Sequence, residues 1–277
     1  MVSIIGLGFV GGSMLKSFEI NKVPNLNGYD KYKNGGVGSF DECLKSDFIF
    51  LALPTPFSYL TNTYDKSAIF ETCELLEKNN YKGVIVLKST VEPETTDKLS
   101  NKFNLEFIHN AEFLTARTAF EDFHNQEHIV LGKGKTCSDS NYNKVKDFYA
   151  KYYPKAEISC CSALESESMK SFVNCFYSVK IQFFNELYLL CQKNGSDYNK
   201  VVELMLKNKW INPMHTNVPG PDGKLSYGGL CFPKDTNALV QYMQDSNTPH
   251  EVLEATISER NKMRDDHDNC QLNKKYI

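Results

Sequence analysis

The stretch "VSIIGLGFVGGSMLKSFE" (residues 2–19) decides the fold of the first half of this chain. An apolar run breaks at Gly6-Leu7-Gly8 and resumes as apolar residues at helical spacing, so it reads as strand, glycine turn and helix in immediate succession. The same alternation continues outward. Strand candidates recur at 26–30 ("LNGYD"), 48–54 ("FIFLALP"), 83–89 ("GVIVLKS"), 105–111 ("LEFIHNA") and 127–132 ("EHIVLG"). Helix-like segments such as "DKSAIFETCELLEKN" (65–79) lie between them. Strands alternating with helices predict an α/β domain over residues 1–160, a doubly wound parallel sheet covered on both faces.

Beyond residue 160 the pattern changes. From Ala163 to Asn194 apolar residues keep helical spacing with no Pro or Gly inside, and Gly195 ends the run. Shorter helices are expected at 197–208, 236–246 and 249–266, followed by a polar tail. Residues 161–277 are therefore read as an all-α central domain built on one long helix.

The chain has 277 residues, 41% apolar and 23% charged, with a net charge of −3. That composition suits a soluble globular protein and gives no basic surface for nucleic acid or an anionic membrane. No apolar run is long enough to span a bilayer, and the N-terminus carries no secretory pattern. Nine cysteines, an odd number, show no CxxC spacing and no Cys/His cluster. Reduced thiols, a cytoplasmic setting and no metal follow.

"GLGFVG" places Gly6, Gly8 and Gly11 between the first strand and the first helix, the context in which a dinucleotide fingerprint works. Gly6 permits the turn, Gly8 lets a pyrophosphate approach the backbone, and Gly11 allows close strand–helix packing. Phe9 and Val10 open the helix whose N–H groups face the phosphates. Asp30 ends the second strand 19 residues past Gly11, where a carboxylate accepts ribose hydroxyls and favours NAD. Lys31 and Lys33 beside it keep NADP open. The third and fourth strands end in "LPTP" (Pro54, Thr55) and "KSTV" (Ser89, Thr90), which puts hydroxyls at the ligand-binding edge of such a sheet.

"SYGGLCFPKD" (226–235) sets Cys231 behind a glycine pair and ahead of Pro233, Lys234 and Asp235. By itself it is either a stiff loop around an idle thiol or the centre of a site.

Taken together, "GLGFVG", "LPTP", "KSTV", "NAEFLTARTAFEDF", "SESMKSFVNCFYSVKIQFFNE" and "GGLCFPKD" resemble, in order and register, the UDP-glucose dehydrogenase family. More broadly the chain is similar to nucleotide-sugar 6-dehydrogenases, including the UDP-mannosaminuronate and GDP-mannose enzymes, from residue 2 to about 262. The resemblance implies a Rossmann-type domain, NAD as cofactor, and oxidation of a sugar C6 alcohol to a carboxylate in two steps. Cys231 then holds the aldehyde as a thiohemiacetal and the acyl group as a thioester. Lys170 and Asn174, four apart on the long helix, match groups that hold the C6 oxygen. Asp235 matches the carboxylate for proton transfer through water, Glu112 the glutamate for thioester hydrolysis, and Thr90 a water-holding hydroxyl. Lys234 either lowers the thiol's proton affinity or orients the site. Substrate contacts are implied for Glu112, Phe113, Leu114, Lys170, Asn174, Tyr227 and Gly228. The helix at 163–194 implies a homodimer.

The chain also departs from the family pattern. Glu92 and Glu94 stand where Pro and Gly are usual, Ala111 for Pro, Ala116 for a glutamate near the cofactor, Ser226 for Gly and Leu230 for Ser. The segment before the cysteine usually carries an arginine, and here His215 is nearest that place, before an extended "PGPDGK" turn. Family members usually continue into a third α/β domain, and the expectation here is a chain without it. Two other readings compete. A two-electron hydroxyacid dehydrogenase of the 6-phosphogluconate type shares the architecture but needs no cysteine. A non-catalytic NAD-binding relic has no reason to keep Cys231, Lys234, Asp235, Lys170 and Asn174 together.

Overall fold

A computed structural model describes residues 1–115 and 117–266; Ala116, Cys270 and the rest of the tail lie outside the described residues. The chain divides into two compact units. Met1–Pro56 and Tyr64–Lys170 form the first, and Phe57–Thr63 with the described residues from Ser171 to Asp266 form the second.

The first unit is a seven-stranded sheet with flanking helices. Its strands are β1 (Val2–Ile5), β2 (Leu26–Tyr29), β3 (Phe48–Leu51), β4 (Val84–Leu87), β5 (Glu106–His109), β6 (His128–Lys133) and β7 (Glu157–Ser162). They lie in the order β2-β1-β3-β4-β5-β6-β7. Among its helices are α1 (Phe9–Ile20), α2 (Phe40–Cys43), α3 (Ser67–Lys78), α4 (Thr95–Lys102), α5 (Ala119–His124) and α6 (Asp139–Tyr152). Strand alternation divides the core. Val2, Ile4, Phe48, Phe50, Val84 and Val86 join one cluster with Phe18 of α1 and Phe148 of α6. Ile5, Ile49, Leu51, Ile85 and Leu87 join the other with α3 and α4. Both faces are buried, so the central strands are apolar throughout.

The expectation of a wholly parallel sheet needs one correction. β5 and β6 pair antiparallel, whereas β6 and β7 are again parallel to each other. Only the six-residue α5 lies between β5 and β6, so the chain makes no full crossover there and returns in the opposite direction. β7 itself was not expected. Its sequence "EISCCS" is half-exposed along its length and carries little of the apolar signal that marks the inner strands.

α7 (Ala163–Asn194) matches the predicted long helix and ends at Gly195, whose φ of +79° is the left-handed conformation of a helix C-cap. The helix leaves the first unit at Lys170 and continues in the second. There it meets α8 (Tyr198–Leu206) through Phe184, Cys191, Tyr198 and Val202. Cys175 packs with Leu239 and Val240 of α9 (Phe232–Asp245) and Leu253 of α10 (Glu251–Met263). α9 starts four residues earlier than the periodicity predicts. Phe232, Pro233, Lys234 and Asp235 are its first turn, where proline's fixed φ suits the helix and its missing N–H costs nothing.

Candidate active site

The glycine turn of the first unit is built as a dinucleotide cradle. Gly6 adopts φ +89°, and a Cβ on it would stand 2.5 Å from the Ala52 carbonyl oxygen. A Cβ on Gly11 would stand 1.8 Å from the Gly6 oxygen, so both positions exclude any other residue. Gly8 differs. It is exposed, caps α1 without a side-chain bond, and a Cβ there meets only open space, so this side is left clear for a ligand. A cleft of about 390 Å³ lies over this helix start, lined by Gly8, Phe9, Gly12, Lys16, Lys33 and Arg117, with one carboxylate, Glu121, among its lining. Its three cations and the N-terminal end of the helix dipole suit a diphosphate.

The Asp30 carboxylate accepts the Leu7 N–H at 2.8 Å on one oxygen and the Tyr32 and Lys33 N–H groups, at 3.0 and 2.9 Å, on the other. Burial opposes its charge, but these bonds outweigh it and hold the carboxyl below its usual range. Lys33 donates from Nζ to the Leu7 carbonyl at 2.6 Å. Asp30 thus ties the second strand's end to the glycine turn and stays anionic. The residues fit a dinucleotide whose adenosine ribose carries free hydroxyls.

Along the strand ends, Pro54 is exposed, and the hydroxyls of Thr55 and Ser89 are used internally. Thr55 Oγ1 donates to the Thr90 carbonyl at 2.8 Å, while Ser89 Oγ donates to the Leu53 carbonyl and accepts its N–H. Both lock β3 to β4, while the half-buried Thr90 makes no side-chain hydrogen bond among the described residues. Glu92, in the usual proline place, accepts from Tyr64 N and Lys66 Nζ at 2.8 and 2.7 Å. Glu94 has a left-handed backbone, at φ +74°, a conformation that favours glycine.

Past β5, Glu112 and Lys170 form an ion pair at 3.4 Å, both largely buried. The other Glu112 oxygen accepts the Leu114 N–H at 2.8 Å, and Lys170 Nζ stands 5.0 Å from the Phe113 ring centre. Leu114 packs partly on the core.

In the second unit Cys231 is exposed at the N-cap of α9, where the positive end of the helix dipole favours a thiolate. Asp235, one turn on, is 1% exposed. It accepts from Asn174 Nδ2 at 2.6 Å and pairs with Lys234 Nζ at 2.6 Å. Lys170 and Asn174 are therefore one turn apart on α7, one paired with Glu112 and the other with Asp235.

Gly228 and Tyr227, both expected at the substrate, make close contacts with protein. Gly228 does make a close approach, but to protein: a Cβ there would lie 2.4 Å from a guanidinium nitrogen of Arg264. Tyr227 is 2% exposed, with its carbonyl bonded by Arg260 Nε at 3.1 Å and the Arg260 guanidinium 5.6 Å from its ring centre. Its side chain lines a cavity of about 170 Å³ together with Tyr59, Pro233, Asn237 and Arg260. Arg264 also donates to the carbonyls of Leu225 and Ser226 and pairs with Asp222 at 2.6 Å and Asp266 at 2.8 Å. Sequence reading missed both arginines, because nothing in "SERNKMRDD" marks which face meets the cysteine segment. Ser226, at φ +57°, bonds through Oγ to Gln182 at 2.5 Å. His215 packs between Tyr177 and Phe232, with ring centres 4.8 and 5.8 Å away, and burial beside Lys180 lowers its proton affinity.

With this arrangement in view, the comparisons are specific. Residues 38–153 match the NAD binding domain of the UDP-glucose/GDP-mannose dehydrogenase family, and residues 164–262 match its central domain. The chain belongs to this family. It is 30% identical over 231 residues to UDP-glucose 6-dehydrogenase TuaD of Bacillus subtilis, covering 79% of this chain and 47% of that one. The chain spans about half the length of the first curated relatives it matches. A UDP-glucose dehydrogenase structure from Pyrobaculum islandicum superposes with a TM-score of 0.80 at 23% identity, covering 94% of this chain and 68% of that one. A 3-hydroxyisobutyrate dehydrogenase from Mycobacterium tuberculosis superposes at 0.73 with 14% identity, covering 96% and 94%. These two likenesses bear on the fold alone.

Among the described residues no group of three or more His, Cys, Asp or Glu is placed to hold a metal. The described cysteines are all free thiols, and no described helix is long and apolar enough to cross a membrane.

Proposed function

We propose that the protein oxidises the C6 alcohol of a nucleotide-sugar, UDP-glucose foremost, to a carboxylate with NAD, by way of a covalent intermediate on Cys231. One observation carries the reading: Asn174, Lys234 and a buried Asp235 are bonded together at the start of the helix that Cys231 caps.

The Gly6–Gly11 turn, Asp30 and the cations lining the cleft would hold NAD, which would supply the hydride acceptor for each of the two oxidations. Loss of hydride and a proton turns the alcohol into an aldehyde, while Lys170 and Asn174 hold the oxygen. The Cys231 thiolate adds to the carbonyl carbon and forms a thiohemiacetal. Loss of a second hydride and proton leaves a thioester, and water cleaves it to the acid and the free thiol. Asp235 takes up protons through a water, and Lys234, paired to it, orients that carboxylate. Glu112 and Thr90 serve the hydrolytic water. Cytoplasmic residence suits a mechanism that needs Cys231 reduced.

A homodimer belongs to the same proposal. Phe172, Phe176, Phe183 and Leu190 of α7 are half or more exposed, and the last three recur every seven residues. That spacing makes an apolar seam for a second copy.

The test is Cys231→Ser assayed with UDP-glucose, UDP-N-acetylmannosamine and GDP-mannose. The substituted enzyme is expected to stall after the first oxidation. Full conversion to acid by this variant refutes the covalent route.

A further inference from the structure

Lys88, the residue before Ser89, is 3% exposed at the end of β4. Among the described residues its ammonium has one hydrogen-bond acceptor, Asn110 Oδ1 at 3.0 Å. The same oxygen accepts from Tyr149 at 2.6 Å, and Asn110 Nδ2 is fixed to the Val130 carbonyl at 2.8 Å. The amide therefore cannot turn away, and Lys88 is held by a rigid polar post. A lysine this deep with a single acceptor is costly, and such costs concentrate at functional sites.

Its Nζ stands 5.8 Å from the Phe123 ring centre, and of the groups acting on its charge two are ionised: Glu112, which favours the charge, and Lys170, which opposes it, the ion pair described above. The others are neutral. Burial, with Lys88 and Lys170 adding repulsion, drives His109 down to about 3, and its Nδ1 lies 2.8 Å from Ser166 Oγ. Burial likewise keeps Tyr149 in its phenol form. The cluster therefore holds two cations against one carboxylate while Lys88 is protonated, and one against one when it is not.

We propose that Lys88 is a positioning residue for the oxidation site, its buried ammonium adding positive charge behind the Glu112–Lys170 pair that faces the reacting oxygen. The inference rests on the proposed function for its chemistry, because alcohol oxidation builds negative charge on that oxygen. Lys88 touches no substrate in this role. Burial lowers it to about 7, with Glu112 opposing the shift and Lys170 adding to it, so its charge is lost as pH rises through neutrality. The effect is thus greatest below pH 7 and fades above it.

Lys88→Met keeps length and volume, and Lys88→Gln keeps a donor toward Asn110. Both are expected to lower kcat about tenfold at pH 6.5 with the KM values for NAD and sugar within about threefold. Both should also erase the pH-dependent limb near 7 in the kcat profile. Wild-type kcat and an unchanged limb in both variants overturn the proposal.

A second measurement needs no substrate. Denaturant stabilities of Lys88→Met, Glu112→Gln and the double variant are expected to be non-additive at pH 6 and additive at pH 9. Additivity at both pH values overturns the placement of the charge. If no nucleotide-sugar is oxidised by wild type, the proposed activity falls, and this cycle still decides whether Lys88 charges the pair.

Discussion

Gly228→Ala separates two explanations of the glycine beside the cysteine. Its φ lies outside the left-handed region, so alanine brings no backbone strain. What it brings is a methyl 2.4 Å from one guanidinium nitrogen of Arg264 and 2.7 Å from its Cζ. Contact distance is about 3.5 Å, so the guanidinium must move by an ångström or more. Arg264 is 7% exposed and cannot move freely without giving up the Leu225 carbonyl, Asp222 and Asp266. Overpacking costs about 1–3 kcal/mol, and each charge-assisted hydrogen bond lost adds about 1.5–3. Asp222 is half-exposed and recovers water, so roughly 3 kcal/mol is the expected total. Urea unfolding of wild type, Gly228→Ala, Arg264→Ala and the double variant measures it. In the Arg264→Ala background the alanine is expected to cost under about 0.5 kcal/mol. A cost that persists without Arg264, or a single variant as stable as wild type, refutes the packing role and returns Gly228 to the substrate.

Three further outcomes follow from the geometry. Glu167 is fully buried, accepting the N–H and hydroxyl of Thr96 on one oxygen, and burial raises it to about 7 despite those bonds. Between about pH 4.5 and 7 the folded protein therefore binds more protons than the unfolded chain, and stability falls as pH rises. Glu167→Gln should flatten that slope and be more stable at pH 8 by up to about 3 kcal/mol; a parallel pH–stability curve excludes it. Asp30→Ala removes the acceptor of three N–H groups and the charge at the ribose edge. Its kcat/KM ratio for NAD over NADP should fall by about a hundredfold, and an unchanged ratio places specificity elsewhere. Phe176→Glu with Phe183→Glu should yield monomers by light scattering, and an unaltered dimer moves the interface off this face of α7.

Much of this was legible in the residues themselves. Buried strands such as "FIFL" and "VIVL" announce a two-faced sheet because every position is apolar. The 32-residue α7 shows its limits because nothing breaks it before Gly195. β7 was hidden because a half-exposed strand of Ser and Cys has no period to read. The direction of β6 was hidden because pairing sense is set by the connection and not by the strand. Among the residues of the proposed mechanism, Cys231, Lys170, Asn174, Glu112 and Asp235 were nameable by residue type and motif. Arg260, Arg264 and Lys88 were not, since their roles come from long-range packing. "SYGGLCFPKD" reads as one loop, yet its last four residues are a helix turn, and that turn gives Cys231 its cap position.

Counting NADH in a single-turnover reaction tests the covalent four-electron oxidation most directly. With UDP-glucose below enzyme concentration and NAD in excess, two NADH per sugar are predicted, with uronate as the product. One NADH per sugar, with an aldehyde or ketone as the product, contradicts a role for Cys231 as the carrier between two oxidations.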